Sequence, residues 1–216
     1  MLNIYYTDSG KKSYGISALA QLNQSLLVYT DSRNHCLRKL EGRTIEGNRS
    51  WINSTFAGRC FEPGDVDGLK ELGRLWQPLE CKHYRDYIFV TDNLFKIKRI
   101  NVFNGTITTV YESLQRNELQ FLEIGHFPNE FYVTTNHGVL RIKHGREYWL
   151  VGSRASMNAL ELDSINFNKP KKIVWLSNDT LLVADAFMNT LTKIDVNLDR
   201  NETVCYGMYA LNMHTG

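Results

Sequence analysis

Three carboxylates recur in one setting along this chain. Asp31, Asp92 and Asp185 each close a β-branched or aromatic run, in L-L-V-Y-T-D, Y-I-F-V-T-D and T-L-L-V-A-D. Carboxylates at matched places in a repeat could converge as general acids and bases. At the end of a strand, however, a carboxylate also accepts backbone N–H groups of the adjoining turn, and their position favours that structural use. Glu62, Asp65 and Asp67 form a second acidic group with enough oxygen for calcium. They lack the glycine and the bidentate glutamate of an EF-hand loop, so a turn is expected instead. The histidines (His35, His83, His126, His137, His144 and His214) show neither H-E-x-x-H nor a Cys-x-x-Cys partner spacing. There is no G-x-S-x-G elbow and no phosphate-binding glycine loop. No catalytic set, metal site or cofactor is expected.

The elements that carry these residues repeat. Each Asp run is followed by a short polar turn and an alternating run ending in Leu or Ile. Glu130–Lys143 is a degenerate copy with Thr135 in the Asp place. The four anchors are spaced about 40–60 residues apart, the period of a propeller blade rather than of a helical solenoid. Period-two alternation predicts four strands in each of four blades. They are Gly15–Ala20, Leu26–Thr30, Cys36–Glu41 and Trp51–Ala57, then Pro78–Lys82, Tyr87–Thr91, Lys96–Asn101 and Thr106–Tyr111. The third set is Leu119–Ile124, Phe131–Thr134, Val139–Lys143 and Glu147–Val151, and the fourth Lys171–Leu176, Leu181–Ala184, Leu191–Val196 and Glu202–Tyr206. Asn104-Gly105, Asn178-Asp179 and His137-Gly138 supply hairpin turns. A helix is expected only over Asp67–Leu75. The chain reads as all-β, a β-propeller of four-stranded antiparallel blades.

The stretch Gly15–Leu40, followed by T-F-A-G at Thr55–Gly58, resembles an NHL repeat, whose signature Asn-His-Leu is approximated by Asn34, His35 and Leu37. Gly64–Gly68 resembles the loop that joins NHL blades. The match is strong in the first blade and weak in the third, where Asn136-His137 is offset. The resemblance implies one NHL-like propeller domain over residues 1–216, with blades at 15–57, 78–111, 119–151 and 171–206. Propellers of that family usually have five or six blades. Four imply an incomplete ring, either a fragment of a larger one or a chain completed by self-association. Residues 1–8 supply a candidate closing strand for pairing against C-terminal strands.

Composition narrows the partners. Twenty-five Lys and Arg against 23 Asp and Glu give a net charge of +2, with 43% hydrophobic residues. That balance excludes a strongly basic polyphosphate binder and an acidic disordered tail. No apolar run is long enough to insert in a membrane as a helix. The first twenty residues, with Asp8, Lys11 and Lys12, hold no apolar run of the kind a secretory leader needs. Six sequons occur, at Asn23, Asn48, Asn53, Asn104, Asn178 and Asn201. Nearly all fall in first–second or third–fourth hairpins, which share one face, and so predict glycans there. Four cysteines and many sequons fit an extracellular or secreted protein. A bridge between Cys60 and Cys81 across the Arg59–Gln77 connection is the candidate disulfide, with Cys36 and Cys205 in distant blades as free thiols.

The opposite face carries the second–third turns and two long connections, Arg59–Gln77 and Gly152–Lys169. Long loops on a rigid scaffold are where recognition concentrates. Arg33, His35, Phe95, His137, Phe187 and Met188 are the candidate binding residues, a mixed aromatic and basic surface of the kind interfaces favour. The leading expectation is a non-enzymatic module that binds a protein or peptide. One alternative is a cytoplasmic scaffold or RNA-binding NHL propeller, with Arg33, Arg38, Lys39, Lys96, Lys98, Arg99, Arg141 and Lys143 as a basic stripe. Another is a metal-dependent propeller lyase or hydrolase, with His35 and His137 brought toward the axis.

Overall fold

The computed structural model describes residues 3–6, 13–45, 47–152, 167–196 and 203–210. The chain is all-β and divides into two compact units, Met1–Arg116 and Asn117–Gly216. The first unit holds two sheets. One contains β1 (Asn3–Tyr6), β2 (Ile16–Asn23), β3 (Leu26–Asp31), β4 (Cys36–Ile45) and β5 (Asn48–Ala57), in the order β1-β5-β4-β3-β2. The other contains β6 (Cys81–Tyr84), β7 (Tyr87–Asp92), β8 (Lys96–Asn101) and β9 (Ile107–Glu112), in sequence order. The second unit has two four-stranded sheets, also in sequence order. These are β10 (Leu122–Ile124), β11 (Phe131–Thr134), β12 (Gly138–Lys143) and β13 (Arg146–Gly152), then β14 (Pro170–Trp175), β15 (Thr180–Asp185), β16 (Thr190–Val196) and β17 (Thr203–Ala210).

Alternation puts apolar side chains from β2–β5 and β6–β9 into one core and those from β11–β13 and β14–β16 into another. In the first unit Ala18, Val28, Leu37 and Phe56 pack with Ile88, Val90, Ile100 and Ile107. In the second, Val139 and Val151 pack with Ile173, Leu181, Val183 and Ile194. Burying a side chain of this size contributes about 1.5–3 kcal/mol.

Each of the four predicted strand sets forms a sheet, and three local expectations change. β1 does not reach C-terminal strands. It pairs in parallel with β5 of its own sheet, Asn3 opposite Ser50 through Tyr6 opposite Asn53, and so covers an edge that would otherwise be open. No helix forms over Asp67–Leu75. Glycines at 68 and 73 weaken a helix, and backbone bonds draw the segment elsewhere: Gly68 exchanges both of its bonds with Ile107, and Arg74 pairs with Val66. Finally, β6 and β10 begin later than the alternation suggests. The Thr91 hydroxyl takes the Glu80 N–H and the Thr134 hydroxyl takes the Phe121 N–H, so side-chain oxygens stand in for ladder carbonyls there. In the first sheet Thr30 serves the Ala18 N–H in the same way, 2.9 Å.

Those hydroxyls are buried, and Thr134→Val keeps shape while leaving the Phe121 N–H without its acceptor. Urea denaturation should show a loss of about 1–3 kcal/mol. An unchanged midpoint would mean the ladder closes without the hydroxyl.

Candidate functional site

The recurring carboxylates are braces. Asp31 accepts the Tyr14 N–H at 2.9 Å and the Asn34 side-chain amide at 2.9 Å. Asp92 accepts the Trp76 N–H at 2.8 Å. Asp185 accepts the Asn168 N–H at 2.6 Å, and its other oxygen takes the N–H groups of Phe187 and Met188 at 3.0 and 3.1 Å. In each case the end of a second strand holds the segment that enters the same blade. Thr135, in the Asp place of the third sheet, accepts the His137 N–H at 3.0 Å.

Asp92 differs in one respect. Its turn, Asn93–Phe95, is one residue shorter than Ser32–His35 or Ala186–Asn189, and no turn N–H reaches its second oxygen, which is buried without a partner. Burial pushes its carboxyl up to about 7, against the pull of the Trp76 N–H and of Lys98. An unfolded Asp titrates near 4, so between about pH 4 and 7 the folded chain binds the extra proton. Stability is therefore highest on the acid side of that window and falls as pH rises through 7. Asp92→Asn removes the fall: relative to the native chain, the variant should gain about 1–3 kcal/mol between pH 5 and pH 8 in denaturation experiments. Parallel pH profiles for the two chains would contradict this account.

The second acidic group also has partners. Asp65 pairs with Lys96 and with Lys98, and Asp67 with Lys98 and with the Thr109 N–H and hydroxyl. Burial alone would raise the Asp65 carboxyl; bonds from Lys96 and Lys98 overcome it and hold it below the usual range. These pairs fasten the long Arg59–Gln77 connection onto β8 and β9. They also dissolve most of the basic stripe. Lys98 is fully buried, Arg38 is buried and bonded to Asn53, and Arg141 is buried against Glu130. Lys39 pairs with Glu41, Arg99 lies over Tyr87 and Lys143 over Phe127, which leaves Arg33 exposed. Among the described residues, no three His, Cys, Asp or Glu side chains group as a metal site.

The disulfide joins Cys36 to Cys60, not Cys60 to Cys81. Pairing of Leu37 with Ala57 brings the start of β4 beside the end of β5, so the two Cα atoms lie 5.0 Å apart. Cys81 is a buried thiol in the core of the first unit. Peptide mapping without reduction should recover Cys36 and Cys60 in one linked fragment. Cys81→Ser should leave that fragment intact, whereas a Cys60–Cys81 fragment would reverse the assignment.

Sequons Asn23, Asn48, Asn104 and Asn178 lie exposed at hairpin turns. Asn53 does not: its side-chain nitrogen, the atom a glycan would occupy, is buried and donates to the Tyr29 hydroxyl at 2.7 Å. Asn201 lies outside the described residues, as does Cys205 among side chains.

Each unit gathers part of the expected binding set. In the first, Arg33 is exposed and half-buried His35 meets Trp76 edge-on, ring centroids 6.5 Å apart, while its Nδ1 accepts the Gln77 N–H. Phe95 is half-buried beneath the Arg116 guanidinium, 4.7 Å from its centroid. In the second, His137 is exposed and Phe187, 59% exposed, stands with Met188 on the turn that Asp185 holds, with the Lys169 ammonium 5.6 Å from its ring. Sequence reasoning missed Trp76, Phe61 and Leu94. Trp76 and Phe61 lie in a connection without period-two pattern, and the sole signal there was the length of the loop.

No family model matches the chain, and no curated protein sequence matches it. Solved structures do resemble it. A putative 6-phosphogluconolactonase from Bacteroides uniformis superposes with a TM-score of 0.60 and 9% identity over 98% of this chain and 60% of that one. A catalytically inactive virginiamycin B lyase from Staphylococcus aureus gives 0.57 and 14%, over 91% and 57%. A computationally designed protein gives 0.53 and 8%, over 91% of this chain and 100% of its own. The chain spans about three fifths of the length of the two natural neighbours. At these identities the likeness is one of fold, and the fold is that of a β-propeller with four-stranded antiparallel blades.

Proposed function

We propose that this chain is a non-enzymatic recognition module, an NHL-like propeller that works outside the cell and binds a protein or peptide through its second–third turns. One observation carries the reading. The carboxylates that could do acid–base chemistry are consumed in bracing the blades, while exposed aromatic and thioether side chains stand on the very turns those braces hold. A braced turn presenting Phe187, Met188 or the Trp76 segment loses little entropy on binding, which is how rigid scaffolds convert contact into affinity.

The glycosylation pattern supports the same orientation. The exposed sequons sit on first–second or third–fourth hairpins, so glycans would clothe the opposite ends of the blades and leave the second–third turns bare. The Cys36–Cys60 bridge supports an oxidising compartment. The RNA-binding alternative relied on third-strand bases, of which Lys98 and Arg141 are buried in ion pairs and Arg38 is buried against Asn53.

Two measurements test the proposal. Expressed behind a secretion leader in a eukaryotic cell, the chain should gain mass that a glycosidase removes, with Asn23 and Asn104 occupied and Asn53 bare. A random peptide library selected on that secreted protein should yield binders. Their affinity should fall about tenfold or more in Trp76→Ala or Phe187→Ala, with melting temperature unchanged. Empty sequons would remove the extracellular part of the reading, and binders indifferent to both substitutions would remove the turn face.

A further inference from the structure

We propose that the strip of the first unit from Tyr14 and Arg33, past His35 and Trp76, to Leu94 and Arg116 docks an acidic peptide segment with bulky apolar side chains. This rests on the recognition reading above and names the ligand chemistry of one part of that face.

Backbone bonds make the strip continuous. The Arg33 N–H donates to the Tyr14 carbonyl, the Phe61 N–H to the Asn34 carbonyl, and the Asn93 N–H to the Trp76 carbonyl. His35 meets Trp76 on one side, and the Ser113 N–H donates to the Phe95 carbonyl on the other. The strip is therefore one surface of second–third turns and the loops laid against them. Its apolar content is high: Trp76 is 46% exposed, and Tyr14, Phe61 and Leu94 are comparably open. Leu114, next to Ser113, is 92% exposed. Grouped apolar exposure of this kind marks an interaction site more often than single exposed residues do.

Backbone strain points the same way. His35, Phe61, Gln77, Leu94 and Arg116 all have φ between 57° and 70°, the left-handed region in which only glycine is at ease. Arg85, His144 and Lys169 adopt the same conformation at turns elsewhere, so what sets the strip apart is that five large side chains at such positions stand together in it. Leu94 is the clearest case, because its exposed side chain contributes little burial in return.

Charge selects the partner. Among the described residues, neither Arg33 nor Arg116 pairs with a carboxylate. Glu62 is shared between Arg59 and Arg74, which leaves that group one positive charge in excess. Asp65, Asp67 and Glu112 pair with Lys96 and Lys98 and offset that excess, Asp31 and Asp92 are buried and take the Tyr14 and Trp76 N–H groups, and so the net charge of the strip rests on Arg33 and Arg116. The strip is thus cationic around an apolar centre, complementary to a segment that alternates Asp or Glu with Leu, Phe or Trp. Nucleic acid fits less well. The cations that a groove tracking a phosphate backbone would need are mostly paired, Lys96 and Lys98 with Asp65 and Arg59 and Arg74 with Glu62, and Arg116 already lies over Phe95.

The test uses the full secreted chain and two peptide libraries. One is restricted to Asp, Glu, Leu, Phe, Trp and neutral spacers; the other replaces the acids with Lys and Arg. The acidic library should yield binders and the basic library none. Selected peptides should bind about tenfold or more weakly in Trp76→Ala and in the double variant Arg33→Ala with Arg116→Ala, and should weaken as salt rises. Leu94→Gly, which relieves strain and so should fold at least as well, should also bind more weakly. Equal yields from the two libraries, or displacement of the peptides by an oligouridylate at equal concentration, would overturn the proposal. So would wild-type affinity in Trp76→Ala. Binders that depend on Phe187 alone would remove this strip and leave the recognition reading standing. Silence of both libraries and of the random one would remove both.

Discussion

Buried peptide groups that lack a hydrogen bond cost more than most side-chain contacts supply, and a propeller blade creates such groups at one place in particular. Where the chain leaves a connection and enters the first strand of a sheet, its first N–H groups have no neighbouring strand ready to receive them. Here the end of the second strand solves this with two consecutive side chains. A Thr hydroxyl takes one N–H at or just before the start of the incoming strand, and an Asp carboxylate takes another from the segment that leads to it. Thr30-Asp31 and Thr91-Asp92 do this in full. Thr134-Thr135 keeps the first half. Ala184-Asp185 keeps the second and adds two turn N–H groups.

This device positions everything else of interest. It fixes where each connection arrives, so it fixes the turn residues displayed beside it. It also ties adjacent blades of the first unit, because the Thr30 and Ser32 hydroxyls donate onward to the Leu79 and Pro78 carbonyls. Short polar side chains suit the task because their oxygens lie close to the backbone and lose little rotamer freedom. The cost appears at Asp92, where a shortened turn leaves one oxygen with nothing to bond.

The same logic explains what was legible in the residues. Strands and hairpins follow from period-two burial and from turn chemistry, both local, so their order and pairing could be read directly. The bracing role of Asp31, Asp92 and Asp185 was legible for the same reason. The pairing of β1 with β5, and of Cys60 with Cys36 rather than Cys81, depends on which segments meet in space. Two thiols 24 residues apart become neighbours only because the β4–β5 hairpin folds back on itself. Arg38, Lys98 and Arg141 alternate like solvent-facing residues and yet are buried, since their partners Asn53, Asp65, Asp67 and Glu130 come from other strands or from a loop with no pattern of its own. Trp76 escaped notice on the same ground.

The Cys36–Cys60 bridge has a consequence for how this molecule would age outside a cell. It closes the β4–β5 hairpin into a covalent loop, with the bridge at the end of the strands far from the hairpin tip. A protease that cuts the exposed tip breaks one peptide bond without releasing either half. The ladder, Leu37 opposite Ala57 through Ile45 opposite Asn48, remains in register, and Cys60 and Phe61 stay anchored beside Cys36 and Asn34. The segment that carries them is thereby insulated from damage at the opposite end of its own blade.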